Sequence, residues 1–337
     1  MCALETQSLI KILIHKHINV KKRRTFILFP TLILIAIATL AVVFYSGFKR
    51  ETTRHPFSTT SAVSSLKNHY NLSKASNIYV LPDILNEVSG ITDISSKEIG
   101  CIQDENGIIF IYDLQKKEIT NQVNIVTEGD FEGITLVKDT MYMLRSDGKL
   151  LEVKNYQNKN NTVVSHHLAL NSTNNEGLCY DEKRARLLIA SKGKIGKGPE
   201  FKDIRVIYSF DLTTKTLVNE PAVEFSVNDI ETFATKRNIR IPVKSRKKGE
   251  GVVSALRFMP SAIAVHPLTS NIYLLSAIDR MFLILDENGN IIHVECLSPE
   301  LFNKPEGITF LENGDMLISN EGEGGKPTLL QFSFIKK

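Results

Sequence analysis

The chain has 337 residues, 42% of them hydrophobic and 23% charged, with no tryptophan and a formal charge of +4. That length admits two average domains or one large all-β domain. The charge is uneven: residues 1–50 hold eight Lys/Arg and one acid, so residues 51–337 carry 33 basic and 36 acidic groups, about −3, and the pattern excludes a nucleic-acid footprint.

In chain order, residues 1–24 form a basic tail. From Phe26 to Tyr45 the sequence FILFPTLILIAIATLAVVFY is uncharged, and about twenty apolar residues at 1.5 Å each cross a ~30 Å hydrocarbon core. Residues 25–46 are therefore predicted to be a transmembrane helix. A cleaved signal peptide is the competing reading, but the run exceeds the ~7–15 residues of an apolar signal core. Six Lys/Arg precede the run, so the positive-inside rule puts the N-terminus in the cytoplasm. The predicted location is the inner membrane, single-pass, with the C-terminal part periplasmic or otherwise extracytoplasmic. Residues 47–76, rich in Ser, Thr and Asn, read as a linker. Cys101, Cys179 and Cys296 lack CxxC spacing, which argues for buried, inert thiols with at most one pair.

Residues 77–337 read as a single all-β domain: short apolar runs broken by turn signals. Asn106-Gly107, Asp147-Gly148, Asn288-Gly289 and Asn313-Gly314 fit tight hairpins that need positive φ. One phrase recurs five times, as Val88-Ser89-Gly90-Ile91-Thr92, Phe131-Glu132-Gly133-Ile134-Thr135, Asn175-Glu176-Gly177-Leu178-Cys179, Pro260-Ser261-Ala262-Ile263-Ala264 and Pro305-Glu306-Gly307-Ile308-Thr309. Each phrase opens a unit of a few strands that cannot bury both faces alone, so the units must stack in a ring. The prediction is a five-bladed β-propeller, with a sixth blade inside the long third interval as the alternative. Ile78-Tyr79-Val80 is predicted to complete the last blade as its outer strand. Insertions fall at 192–203 and 228–259, and the basic run from Lys244 to Lys248 reads as a solvated loop.

The first strand of a propeller blade lies nearest the axis, which puts Ser89, Glu132, Glu176, Ser261 and Glu306 at equivalent points around the channel. Carboxylates held together in a low dielectric repel unless a cation lies between them, and a hard ion such as Ca²⁺ tolerates irregular oxygen ligands. Glu132, Glu176 and Glu306 are the predicted metal ligands, with Ser89, Ser261, Asp104, Asn320 and Arg145 as further channel residues. The competing reading is that each Glu-Gly merely begins a strand. Asp104, Ser146, Ser191 and Asn320 align at the end of strand two, with Glu105, Asp147 and Glu321 one residue on. Nucleophile-elbow, zincin, Walker and Rossmann signatures are missing from the sequence, and His266 reads as a surface-turn residue away from the channel.

The same phrases, with Leu81-Pro82-Asp83, Gln103-Asp104-Glu105-Asn106-Gly107, Leu144-Arg145-Ser146-Asp147-Gly148 and Ala264-Val265-His266-Pro267, resemble the SdiA-regulated protein family over roughly residues 77–335. That resemblance implies a membrane-anchored or exported five-bladed propeller, distantly similar to NHL repeats, with a bound calcium; it implies no reaction. The expected function is a membrane-anchored, calcium-binding interaction module for an unknown extracytoplasmic ligand or protein. The alternative, from a likeness to lactonase and phytase-like propellers, is metal-dependent hydrolysis of a phosphoester or lactone, so whether the chain is an enzyme stays open at this point.

Overall fold

The structure, a computed structural model, describes residues 69–336 apart from 127, 159, 173 and 247–249. The predicted transmembrane segment lies outside the described residues. Among the described residues no helix is long and apolar enough to cross a membrane.

Five antiparallel sheets follow one another along the chain. Their innermost strands are Val88–Asp93, Phe131–Val137, Asn175–Asp181, Ala262–Val265 and Pro305–Phe310, here numbered blades 1 to 5. Each inner strand touches the next in that order, and the fifth touches the first, so the ring closes with five blades. The long interval after blade 3 holds a helix, α1 (Val227–Lys236), and a separate two-stranded hairpin, Val243–Ser245 with Val252–Ser254. The alternative of a sixth blade is thereby ruled out. α1 begins with a capping box: Ser226 Oγ accepts from the Asp229 N–H while Asp229 accepts from the Ser226 N–H.

Closure is achieved as the sequence suggests. Asn77–Val80 pairs antiparallel with Thr328–Phe332 and becomes the outer strand of blade 5, so the first described strand locks onto the last and covers its edge. The chain joins the domain even earlier. Tyr70 and Leu72, expected in the linker, are buried between blades 4 and 5. The Tyr70 hydroxyl donates to the Gly314 carbonyl (2.5 Å) and lies 2.8 Å from His266 Nε2.

Five apolar layers fill the gaps between successive blades, each assembled from inward-facing positions of two sheets. Tyr112, Phe131, Phe210, Tyr273 and Phe332 are among the large side chains buried there, and each contributes roughly 1.5–3 kcal/mol by leaving water. Gly148, Gly289 and Gly314 take positive φ in the predicted turns. Gly107 does not; it opens a strand, and a Cβ there would meet Val126 at 2.4 Å, so crowding rather than turn geometry calls for that glycine. Cys101 and Cys179 are free and buried as expected, whereas Cys296 is free and exposed.

Candidate functional site

The repeated phrase has a definite geometry. In blade 2, Phe131 pairs with Arg145 and Gly133 with Leu144, which leaves Glu132 as an extra residue. Glu176 is extra in the same way between Asn175 and Gly177, and Glu306 between Pro305 and Gly307. Blade 1 is also shifted between Val88 and Ile91, around Ser89. These are β-bulges, which bend the strand and re-aim a side chain. The glycine after each bulge allows neighbouring inner strands to touch: a Cβ on Gly133 would meet Leu178 at 2.6 Å, and one on Gly177 would meet Ile263 at 2.8 Å.

Blade 4 has Ala262 in place of the glycine, and its ladder with the next strand runs regularly from Ala262 onward. Ser261 lies just before that ladder, its N–H donating to the Leu275 carbonyl. Its hydroxyl donates to the Pro305 carbonyl and accepts from the Ala277 N–H, tying blade 4 to blade 5.

At this narrow axis, Glu132, Glu176, Ser261 and Glu306 line a cavity of only about 10 Å³, room for about one water. The three carboxyls share a field. Burial pushes Glu132 up to about 8, with Glu176 and Asp130 adding to the rise. Burial followed by Glu176 pushes Glu306 up to about 7. Glu176 is also raised, chiefly by burial, although Lys192 opposes this.

The counter-charge is already in the chain. Lys192 Nζ lies 2.6 Å from Glu176 Oε1. Burial pulls the Lys192 ammonium down, but Glu176, Glu306 and Glu132 outweigh it and the net shift is upward. Lys304 Nζ sits 3.5 Å from Glu306 Oε1 and 2.6 Å from Glu321 Oε2. Glu132 makes no ion pair among the described residues, and burial with its acidic neighbours favours its neutral form.

This arrangement bears on the predicted metal. Carboxylate oxygens suit a hard cation, yet among the described residues no three carboxyl, imidazole or thiol groups are placed to share one ion. Lys192 holds Glu176 Oε1 in this arrangement, so a cation at that oxygen would share it with the ammonium or displace it.

The remaining predicted residues divide. Ser89 is buried at its bulge. Asp104 raises Glu87 and Glu321 rather than the channel trio, and its buried Oδ1 has no hydrogen-bond partner. Asn320 donates to the Leu301 carbonyl and Thr328 Oγ1, leaving its Oδ1 without a partner. Arg145 turns to Asp147 at 2.9 Å instead of to a channel glutamate. His266, expected at the surface, is fully buried; Nδ1 accepts from the Leu268 and Thr269 N–H groups, and burial lowers the imidazole to about 4. It is a neutral structural residue.

Lys192 is the residue that sequence reasoning passed over. It stands one position after Ser191, where other blades carry Glu105, Asp147 and Glu321, so the reversed sign was visible in the alignment of the units.

No protein-family model matches the chain, and no curated protein matches it. Among solved structures it is similar to the glutaminyl cyclase of Myxococcus xanthus, at 14% identity over 77% of this chain and 95% of that one, TM-score 0.46. A streptogramin B lyase aligns at 13% identity over 76% of this chain and 97% of that one, TM-score 0.43. A structure from Bacteroides thetaiotaomicron of unknown function aligns at 12% identity over 69% and 52%, TM-score 0.44.

Proposed function

We propose that this chain is a membrane-tethered propeller that binds a ligand outside the cytoplasm, its channel being a charge-compensated plug in which Lys192 serves as the cation. The observation that carries this reading is the 2.6 Å contact of Lys192 with Glu176, in a trio of glutamates that would otherwise repel. The membrane tether is the apolar segment 25–46, and the basic residues before it support a cytoplasmic N-terminus. The order of the phrases supports kinship with the SdiA-regulated propellers. A binding role is favoured over hydrolysis because the channel leaves room for little more than one water beside Glu132.

Calcium enters this reading as a competitor of the ammonium. Calorimetric Ca²⁺ titration of the full-length chain and of Lys192→Gln tests it. The expected result is weak or undetectable binding by the wild type and binding at least tenfold tighter in the variant. Tight stoichiometric calcium in the wild type, unchanged by Lys192→Gln and lost in Glu306→Gln, would overturn it and restore a resident calcium site.

A further inference from the structure

A cavity of about 770 Å³ opens beside blade 3, in the size range of small-molecule sites. Both insertions of this blade build it. Six of its lining residues are Lys or Arg and two are acidic, Asp203 and Glu231. This concentration stands out because residues 51–337 are on balance acidic.

Two of the six cations have fixed tasks. Lys192 is held by Glu176. Arg205, only 6% exposed, donates to the carbonyls of Phe258, Ile204, Lys202 and Arg257. Its guanidinium thus ties the 202–204 wall to the 257–258 wall through carbonyls, with Asp203 and Asp279 near enough to favour its charge but outside ion-pair distance. A largely buried cation held in this way adds to the positive field of the cavity.

The other four, Lys194, Lys202, Lys244 and Arg257, line the same cavity and form no ion pair among the described residues. Cations gathered around a concavity raise the local concentration of anions. All four are exposed residues, and they come from three separate segments that line one space. Val227, Leu256 and Met259 add apolar wall, which suits an organic body carrying the charges.

We infer that this cavity binds a small, multiply charged organic anion, bearing phosphate or carboxylate groups, with Lys194, Lys202, Lys244 and Arg257 as its contacts and Arg205 as the positioning residue. The inference rests on the reading of the propeller as a binding module, but it requires nothing of the channel glutamates.

Calorimetric titration of the full-length chain with pyrophosphate and, separately, with citrate tests it. The expected result is one saturable site for at least one of the two anions in 150 mM salt, weakened at least tenfold in Lys202→Gln/Arg257→Gln. The stronger of the two anions identifies phosphate or carboxylate chemistry. Lys194→Gln/Lys244→Gln provides a second variant on other segments and should weaken the same site, with an unchanged thermal midpoint showing that both variants stay folded. Absence of saturable binding to either anion, or binding unaltered in both folded variants, would overturn the inference. None of the four exchanged residues pairs with a channel glutamate, so the calcium behaviour of the Lys192 variant judges the channel reading separately.

Discussion

Lys192 Nζ sits 2.6 Å from Glu176 Oε1, with the Lys192 side chain 24% exposed and that of Glu176 only 4%. An ammonium in contact with a nearly buried carboxylate offsets part of the channel's negative charge. Glu132 is the member of the trio without an ion pair among the described residues, and burial with Glu176 shifts it toward its protonated form.

That proton makes stability depend on pH. Glu132 is raised from 4.5 to about 8 in the folded chain, so folding favours its neutral form and takes up a proton within this window. Stability should therefore fall as pH rises from about 4.5 to about 8 and level off above. Glu132→Gln keeps a neutral side chain at all pH values. Urea unfolding should show it more stable than the wild type at pH 9 by on the order of 1 kcal/mol or more, with the difference shrinking toward pH 5.

The bulge glycines should be sensitive to a single methyl group. Gly133→Ala drives a Cβ against Leu178 Cβ and the Glu176 carbonyl, and overpacking of this kind costs about 1–3 kcal/mol. The reverse change in blade 4, Ala262→Gly, removes a methyl buried in the core and adds chain entropy, together roughly 1–2 kcal/mol. Equilibrium unfolding of both variants checks the two losses.

Residues before the first strand should matter to the propeller. Tyr70→Phe deletes the hydroxyl shared between Gly314 and His266, and a buried acceptor left without its donor costs about 1–3 kcal/mol. A matching loss in unfolding free energy is expected, since Tyr70 belongs to the packed domain.

The proposed membrane tether is the apolar segment 25–46. The full-length chain should remain in the membrane pellet after an alkaline carbonate wash, whereas a chain starting at residue 47 should be released to the supernatant. Release of both would remove the tether from the account.

Much of this architecture is legible in the sequence. Five copies of one phrase at blade spacing mark the inner strands, and Ile78-Tyr79-Val80 reads as the closing strand because no other partner precedes blade 1. Glu132, Glu176 and Glu306 are predicted to stand around the axis, and in the structure all three line one small cavity. The bulge is not legible, since a strand's register depends on its partner: Glu-Gly looks like the start of a strand whether or not an extra residue is present. Ser261 reads as a fourth residue on the axis, and it lines the same small cavity as the glutamates. Tyr70 is hidden among polar neighbours, where a single aromatic gives no period. Lys192 lies at the edge of an insertion, and its contact with Glu176 depends on the hairpin register that pairs Asn175 with Ser191, which the residue pattern alone does not specify.

The most direct measurement is a double-mutant cycle on Lys192→Met and Glu176→Gln, read by urea unfolding of the two single variants, the double variant and the wild type. Each single change leaves a partly buried charge without its partner, so the double variant should lose less stability than the sum of the singles, by about 1 kcal/mol or more. Strictly additive losses would mean that Lys192 and Glu176 do not act as a pair, and that the channel carboxylates are neutralised by something other than this lysine.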